Sequence, residues 1–225
     1  MNQILEKIMS GKQSDILGDV NLYTHYGLSV AKKLGTKLVD AFASAFSVDD
    51  DIRLSYYRDK GIAHAKSGRY AQAVAMLERV WDEDTLDVDV ALHLGIAYVK
   101  TGSVDQGIAL LERAHGDDAA NVKVATVLGL TYVQVQKYEL AVPLLTQVAE
   151  ANPVNFNIRF RLGVALDNLG RFAEAIDSFK IALGMRPNEG KVHRAIAYCY
   201  EQMGEHEAAL PHLKKANEMD DGKGG

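Results

Sequence analysis

The sequence predicts an all-α solenoid, a hook-shaped superhelix of stacked helix-turn-helix units, and three columns of residues carry that prediction. Gly61, Gly95, Gly129 and Gly163 stand 34 residues apart, with Ala197 next in line and Gly27 one period earlier. At the same period Ala73, Gly107, Ala141, Ala175 and Ala209 are small. Leu77, Leu111, Leu145, Phe179 and Leu213 form a third column, large and apolar. One column could arise by chance; three in the same register cannot, and the period fits two helices with their turns. A small residue on each helix of a pair lets the two backbones approach, and the large residue fills the groove beside them.

Taken in chain order, residues 1–19 hold only the short apolar stripe Ile4, Leu5 and Ile8 and read as a flexible N-terminal segment. Residues 20–53 keep the register at Tyr23, Tyr26 and Gly27, but Val39 and Ala43 stand where a small and a large residue should alternate. They form a degenerate unit of the same kind. Five units follow without insertion, at 54–87, 88–121, 122–155, 156–189 and 190–223. In each, Gly68, Gly102, Gln136, Gly170 or Gly204 stands two residues before Tyr70, Val104, Tyr138, Phe172 or His206 and marks the turn between the helices.

Pro153 and Pro187 close the third and fourth units by fixing the exit from the second helix. The first and second units carry Thr85 and Ala119 instead, and the second junction also contains Gly116. A hinge near residues 116–121 is therefore predicted between an N-terminal half, 54–121, and a C-terminal half, 122–223. Gly222 to Gly225 read as a frayed tail.

Composition narrows the function. Of 225 residues, 48% are hydrophobic, enough to bury a core, and the net charge of -5 supplies no basic field for nucleic acid. A single cysteine, Cys199, excludes an intrachain disulfide and suits a reducing cytoplasm. The first turn mixes charge into its apolar residues, unlike a secretory signal, and the charge-free stretch Val124–Gln136 is too short to span a bilayer. Any membrane association is expected to be peripheral.

Catalysis and metal binding find little support. His206 and His212 are six residues apart and lie on different helix faces, so they do not form the paired ligands of a zinc helix. The remaining histidines occupy unlike positions in different units, and His64, in the column of Tyr98, Tyr132 and Tyr200, reads as packing. Cys199 lacks a base beside it in the pattern and reads as a small core residue. No catalytic residue, cofactor or metal is expected. Asp82, Glu83, Asp84 and Asp87 form an acidic junction that is either a solvated loop or an electrostatic contact for a basic partner, and it lacks the glycine and glutamate of a calcium loop.

The Leu94-Gly95, Tyr98, Gly107 and Leu111 pattern resembles the tetratricopeptide repeat, which implies a right-handed stack with its first helices lining a concave face. That resemblance points to the second, fifth, ninth, twelfth and thirteenth residues of each unit as groove positions. The ninth residues are Ile62, Ile96, Leu130, Val164 and Tyr198, an apolar stripe. Around it stand Arg58, Lys66, Lys100, Gln134, Asn168 and Arg194. The asparagine of the carboxylate clamps found in chaperone-binding relatives is absent from the ninth place. The groove instead suits an amphipathic helix or an apolar peptide with an acidic flank. A stripe merely covered by neighbouring helices is the alternative.

Over Asp87–Gly102, Asn121–Tyr138 and Arg186–Ala197 the likeness extends to exposed residues, and the chain resembles the magnetosome-associated tetratricopeptide-repeat proteins of magnetotactic bacteria. This implies a cytoplasmic scaffold on the magnetosome membrane that assembles with itself and recruits other magnetosome proteins for magnetite formation. A monomeric peptide-binding adaptor is the alternative. For self-assembly the sequence offers Leu22, Tyr23, Tyr26 and Val30 at helical spacing, then Leu38, Phe42 and Phe46 four apart. These would dock in a neighbour's groove or, as the competing reading, cap their own stack.

Overall fold

A computed structural model describes residues 50–82 and 87–221. The chain divides into two compact units, Met1–Arg53 and Leu54–Gly225, and the described helices lie almost wholly in the second. Residues 20–49 of the degenerate unit, with all of the self-assembly segment, fall outside the described residues.

Among the described residues there are ten helices and no strand: α1 (Asp50–Lys66), α2 (Tyr70–Leu77), α3 (Val88–Thr101), α4 (Val104–Asp117), α5 (Val122–Gln134), α6 (Tyr138–Ala151), α7 (Phe156–Asn168), α8 (Phe172–Met185), α9 (Gly190–Gln202) and α10 (His206–Asp221). Consecutive helices pack as hairpins, α3 with α4 through α9 with α10, and each hairpin sets its first helix against the second helix of the hairpin before. The first helices α3, α5, α7 and α9 also touch in succession, so they share one face. This is the predicted all-α repeat solenoid. Its first described helix already runs through residues 50–53, which the register assigns to the preceding unit.

Local chemistry places the boundaries. Asp87 caps α3 by accepting from the backbone N–H groups of Asp89 and Val90, at 2.9 and 3.1 Å. Asn121, one period on, caps α5 in the same way, and Asn155, two periods on, caps α7 by accepting from the backbone N–H of Ile158 alone. The residues that end the first helices or follow them take left-handed backbone, with φ of 95° at Gly102 and 61° at Gln136. Gln136 is the one position of that column where a side chain accepts this conformation, at a cost glycine avoids. Prolines 143 and 211 stand inside α6 and α10, each at the sixth residue of its helix and exposed to solvent.

Leu77, Leu111, Leu145 and Phe179 are fully buried, each contributing about 2 kcal/mol through the apolar surface it withdraws from water. A Cβ built on Gly61 or Gly163 would lie 2.5 Å from Leu77 or Phe179, which is why the first-helix column is glycine. Leu213 departs from its column and is 38% exposed. Ala197 carries the Cβ that the other units omit, and no described helix packs beyond α10.

The buried side chains form two clusters. Ala65, Ala73 and Leu77 join Val90, Leu94 and Ala97 of α3 in one, whereas Ala91 and Leu92 from another side of α3 belong to the second, which runs on to Cys199. Trp81 packs against both. The second cluster is continuous across residues 116–121, since Leu111 and Ala114 before them and Val124, Ala125 and Leu128 after them all belong to it. The helices there, α4 and α5, nevertheless pack less closely than the equivalent pairs on either side. The cap residue Asp118 has φ −133° and ψ 82°, close to the values of Asn152 and Arg186, which precede the two junction prolines.

Candidate functional site

The face shared by the first helices carries the expected apolar stripe. Ile62, Ile96, Leu130 and Val164 are half-buried, and Tyr198 is 53% exposed, so the stripe is not sealed beneath neighbouring helices. The structure gathers these residues into two hollows. One, of about 600 Å³, is lined by Arg58, Ile62 and Lys66 together with Asp89, His93 and Lys123. The other, of about 200 Å³, brings together Ile96, Lys100, Leu130 and Gln134. Val164, Asn168, Arg194 and Tyr198 continue the face on α7 and α9, with the Asn168 amide donating to the Val164 carbonyl at 2.8 Å.

Asp89, His93 and Lys123 line the first hollow without standing among the predicted groove residues. Asp89 and Lys123 occupy the second place of their units, itself a groove position of the family pattern, so the signal was present. His93 at the sixth place gives no such signal. Its Nδ1 lies 2.8 Å from the Asp89 carbonyl, one turn back.

Arg58 is held within its own hollow. Its Nε donates to Asp87 at 2.7 Å, and Asp59 and Asp89 stand at 3.5 and 3.7 Å. The bond to Asp87 raises the guanidinium above its ordinary pKa, with burial opposing and the three nearby carboxylates assisting. Burial pushes Asp87 upward, but Arg58 and the backbone donors of α3 more than offset it and leave the carboxyl below its usual range. Asp87 is therefore both a helix cap and the partner of Arg58. Of the rest of the acidic junction, Asp82 is exposed and engaged in an interaction of its own, and Glu83 and Asp84 lie outside the described residues. With Arg58 so engaged, the positive charge offered to a ligand comes from exposed Lys66, Lys100 and Lys123.

The remaining candidate groups have local partners. Cys199 is buried with Sγ 3.6 Å from Asp167, and burial and that carboxylate push its thiol up to about 12, which leaves no thiolate at neutral pH. His206 pairs with Glu201, and His193 Nδ1 meets His212 Nδ1 at 3.0 Å. Among the described residues no three His, Cys, Asp or Glu side chains are grouped as metal ligands, and no helix is long and apolar enough to cross a membrane.

Tetratricopeptide-repeat family models match residues 64–130, 126–190 and 165–223. The magnetosome protein MamA of Paramagnetospirillum magnetotacticum and that of Magnetospirillum gryphiswaldense are each 78% identical over 86 residues, 38% of this chain and 40% of theirs. The match thus spans two-fifths of the length of those curated relatives. A solved structure of MamA from strain MSR-1 aligns with a TM-score of 0.74 at 78% identity, over 76% of this chain and 99% of that one. MamA from strain AMB-1 aligns with a TM-score of 0.75 at 79% identity, over 76% and 94%. MamA from Desulfovibrio magneticus RS-1, at 20% identity, shares the fold with a TM-score of 0.68 over 77% of this chain and 98% of that one.

Proposed function

The chain belongs to the MamA family of tetratricopeptide-repeat proteins, and on that premise we propose that it is a non-catalytic scaffold of the magnetosome. It assembles with copies of itself and recruits partner proteins at the cytoplasmic face of the magnetosome membrane, in support of magnetosome activation and magnetite formation. The observation that carries this reading is the accessible apolar stripe from Ile62 to Tyr198 with Lys66, Lys100 and Lys123 beside it. Such a face binds an amphipathic or extended segment with acidic flanks. The segment with Leu22, Tyr26, Val30, Phe42 and Phe46, followed by Asp49, Asp50 and Asp51, has that composition and is the proposed donor from a neighbouring molecule. Donor and acceptor are different surfaces, so the contact is head-to-tail and builds large assemblies. Attachment to the membrane is peripheral, through bound proteins.

Light scattering of the purified full chain tests the assembly. A large particle is expected, reduced to a folded monomer both by removal of residues 1–50 and by Arg58→Glu, which sets a carboxylate against Asp87 in the hollow. Circular dichroism confirms that each variant keeps its helices. A wild-type protein that is monomeric at all concentrations supports the plain adaptor instead, and variants that keep the full particle mass rule out docking in the groove.

A further inference from the structure

The last described unit leaves exposed a pair of residues that the units before it cover. Ile108, Val142 and Ile176 are buried, and so are Leu111, Leu145 and Phe179 three residues after each. Their counterparts on α10, Leu210 and Leu213, are 62% and 38% exposed. A terminal unit that simply ended a solenoid would carry polar side chains on its outer face.

The interior junctions state what covers such a pair. Leu77 clusters with Val90, Leu94 and Ala97 of the next first helix, two large apolar residues four apart and a small one three further on. Val192, Ile196 and Cys199 repeat that pattern, all buried. The following residue adds a polar tie to the preceding second helix: Tyr98 to Glu78, Tyr132 to Glu112, and Tyr200, which accepts from Lys180 at 3.0 Å. On α10 the tying place is taken by Lys214, exposed like Lys180.

We propose that the outer face of α10 is a second docking surface, separate from the groove, for an amphipathic helix of a partner protein that stacks as the next first helix would. The partner's contact face carries large apolar residues at i and i+4, a small residue at i+7, and a hydroxyl or carboxylate at i+8 that accepts from Lys214. A second copy docking through α1 does not meet this specification, because the places of Val90, Leu94 and Ala97 are there filled by Tyr56, Lys60 and Ala63, and Lys60 would lose its solvation.

The probe is a helix-stapled, fluorescein-labelled peptide of the Gly190–Gln202 sequence with its cysteine replaced by alanine, titrated with the full chain and followed by anisotropy. Saturable binding is expected, weakened at least tenfold by Leu210→Glu, and lost when the peptide's Ile196 is replaced by lysine. Leu210 is the more exposed of the pair, so its replacement leaves the fold intact, and unchanged binding of the variant to a groove ligand or unchanged particle mass confirms that. Absence of saturable binding, or equal binding by Leu210→Glu, overturns the proposal. A Leu210→Glu protein that loses particle mass without any peptide binding by the wild type also overturns it, in favour of a second copy on this face.

Discussion

Tyr98 donates its hydroxyl hydrogen to the Glu78 carboxylate at 2.6 Å, twenty residues back in the chain and across the boundary between two units. Burial and Glu78 together push the phenol up to about 12. An acid with a raised folded-state pKa stabilises the fold below the unfolded pKa near 10 and loses that contribution as pH rises through 12. Tyr98→Phe is expected to cost about 1 kcal/mol at pH 7, the usual net worth of such a bond. Thermal melts between pH 9 and 12 should then show a shallower decline for the variant than for the wild type; parallel curves would show that the bond does not set the alkaline limit.

Gly163→Ala is expected to destabilise by roughly 1–3 kcal/mol, because the new methyl would lie 2.5 Å from the Phe179 ring within a close-packed cluster. Gly129→Ala should cost less, since its nearest neighbour is the flexible end of Leu145 at 3.0 Å. Urea unfolding of the two variants side by side checks the order.

Ala119→Pro should stabilise by about 0.4–1 kcal/mol. The preceding residue already holds the extended backbone that proline requires, and Gln147 bonds to the Ala119 carbonyl, which the substitution keeps. Greater thermal stability with reduced relaxation dispersion around residues 116–121 would support the hinge proposed there. Dispersion that is absent in the wild type would remove it.

His212 has its pKa lowered by burial, by His193 and by Lys180, with Tyr200 also against its ring. A depressed folded pKa means stability that is present above the unfolded value near 6.5 and is lost as pH falls. Melting temperature should therefore drop between pH 7 and 5 more steeply for the wild type than for His212→Gln. Equal slopes would show that His212 does not set the acid limit.

The fold was legible because its packing rule repeats: Gly61, Ala73 and Leu77 recur in register, and each recurrence tests the last. The groove was legible only as a stripe. That Arg58 is occupied by Asp87 depends on a pairing between residues 29 apart in different units, which no local pattern announces. Leu213 misled because its burial depends on what packs beyond it, a property of the stack and not of the column. Prolines 143 and 211 sit where a helix pattern gives no place for them, and the solvent-facing side of each helix tolerates the missing N–H.

Trp81, the chain's single tryptophan, lies against both buried clusters, with the Arg113 guanidinium 5.4 Å above its ring. Its fluorescence is therefore a built-in optical probe of one seam. Parting of the first unit from the rest would hydrate the indole and shift its emission to longer wavelength, while melting confined to the distal helices would leave the emission unchanged and appear only in circular dichroism. The two signals, recorded on one unlabelled sample, would separate loss of the near end of the stack from loss of the far end.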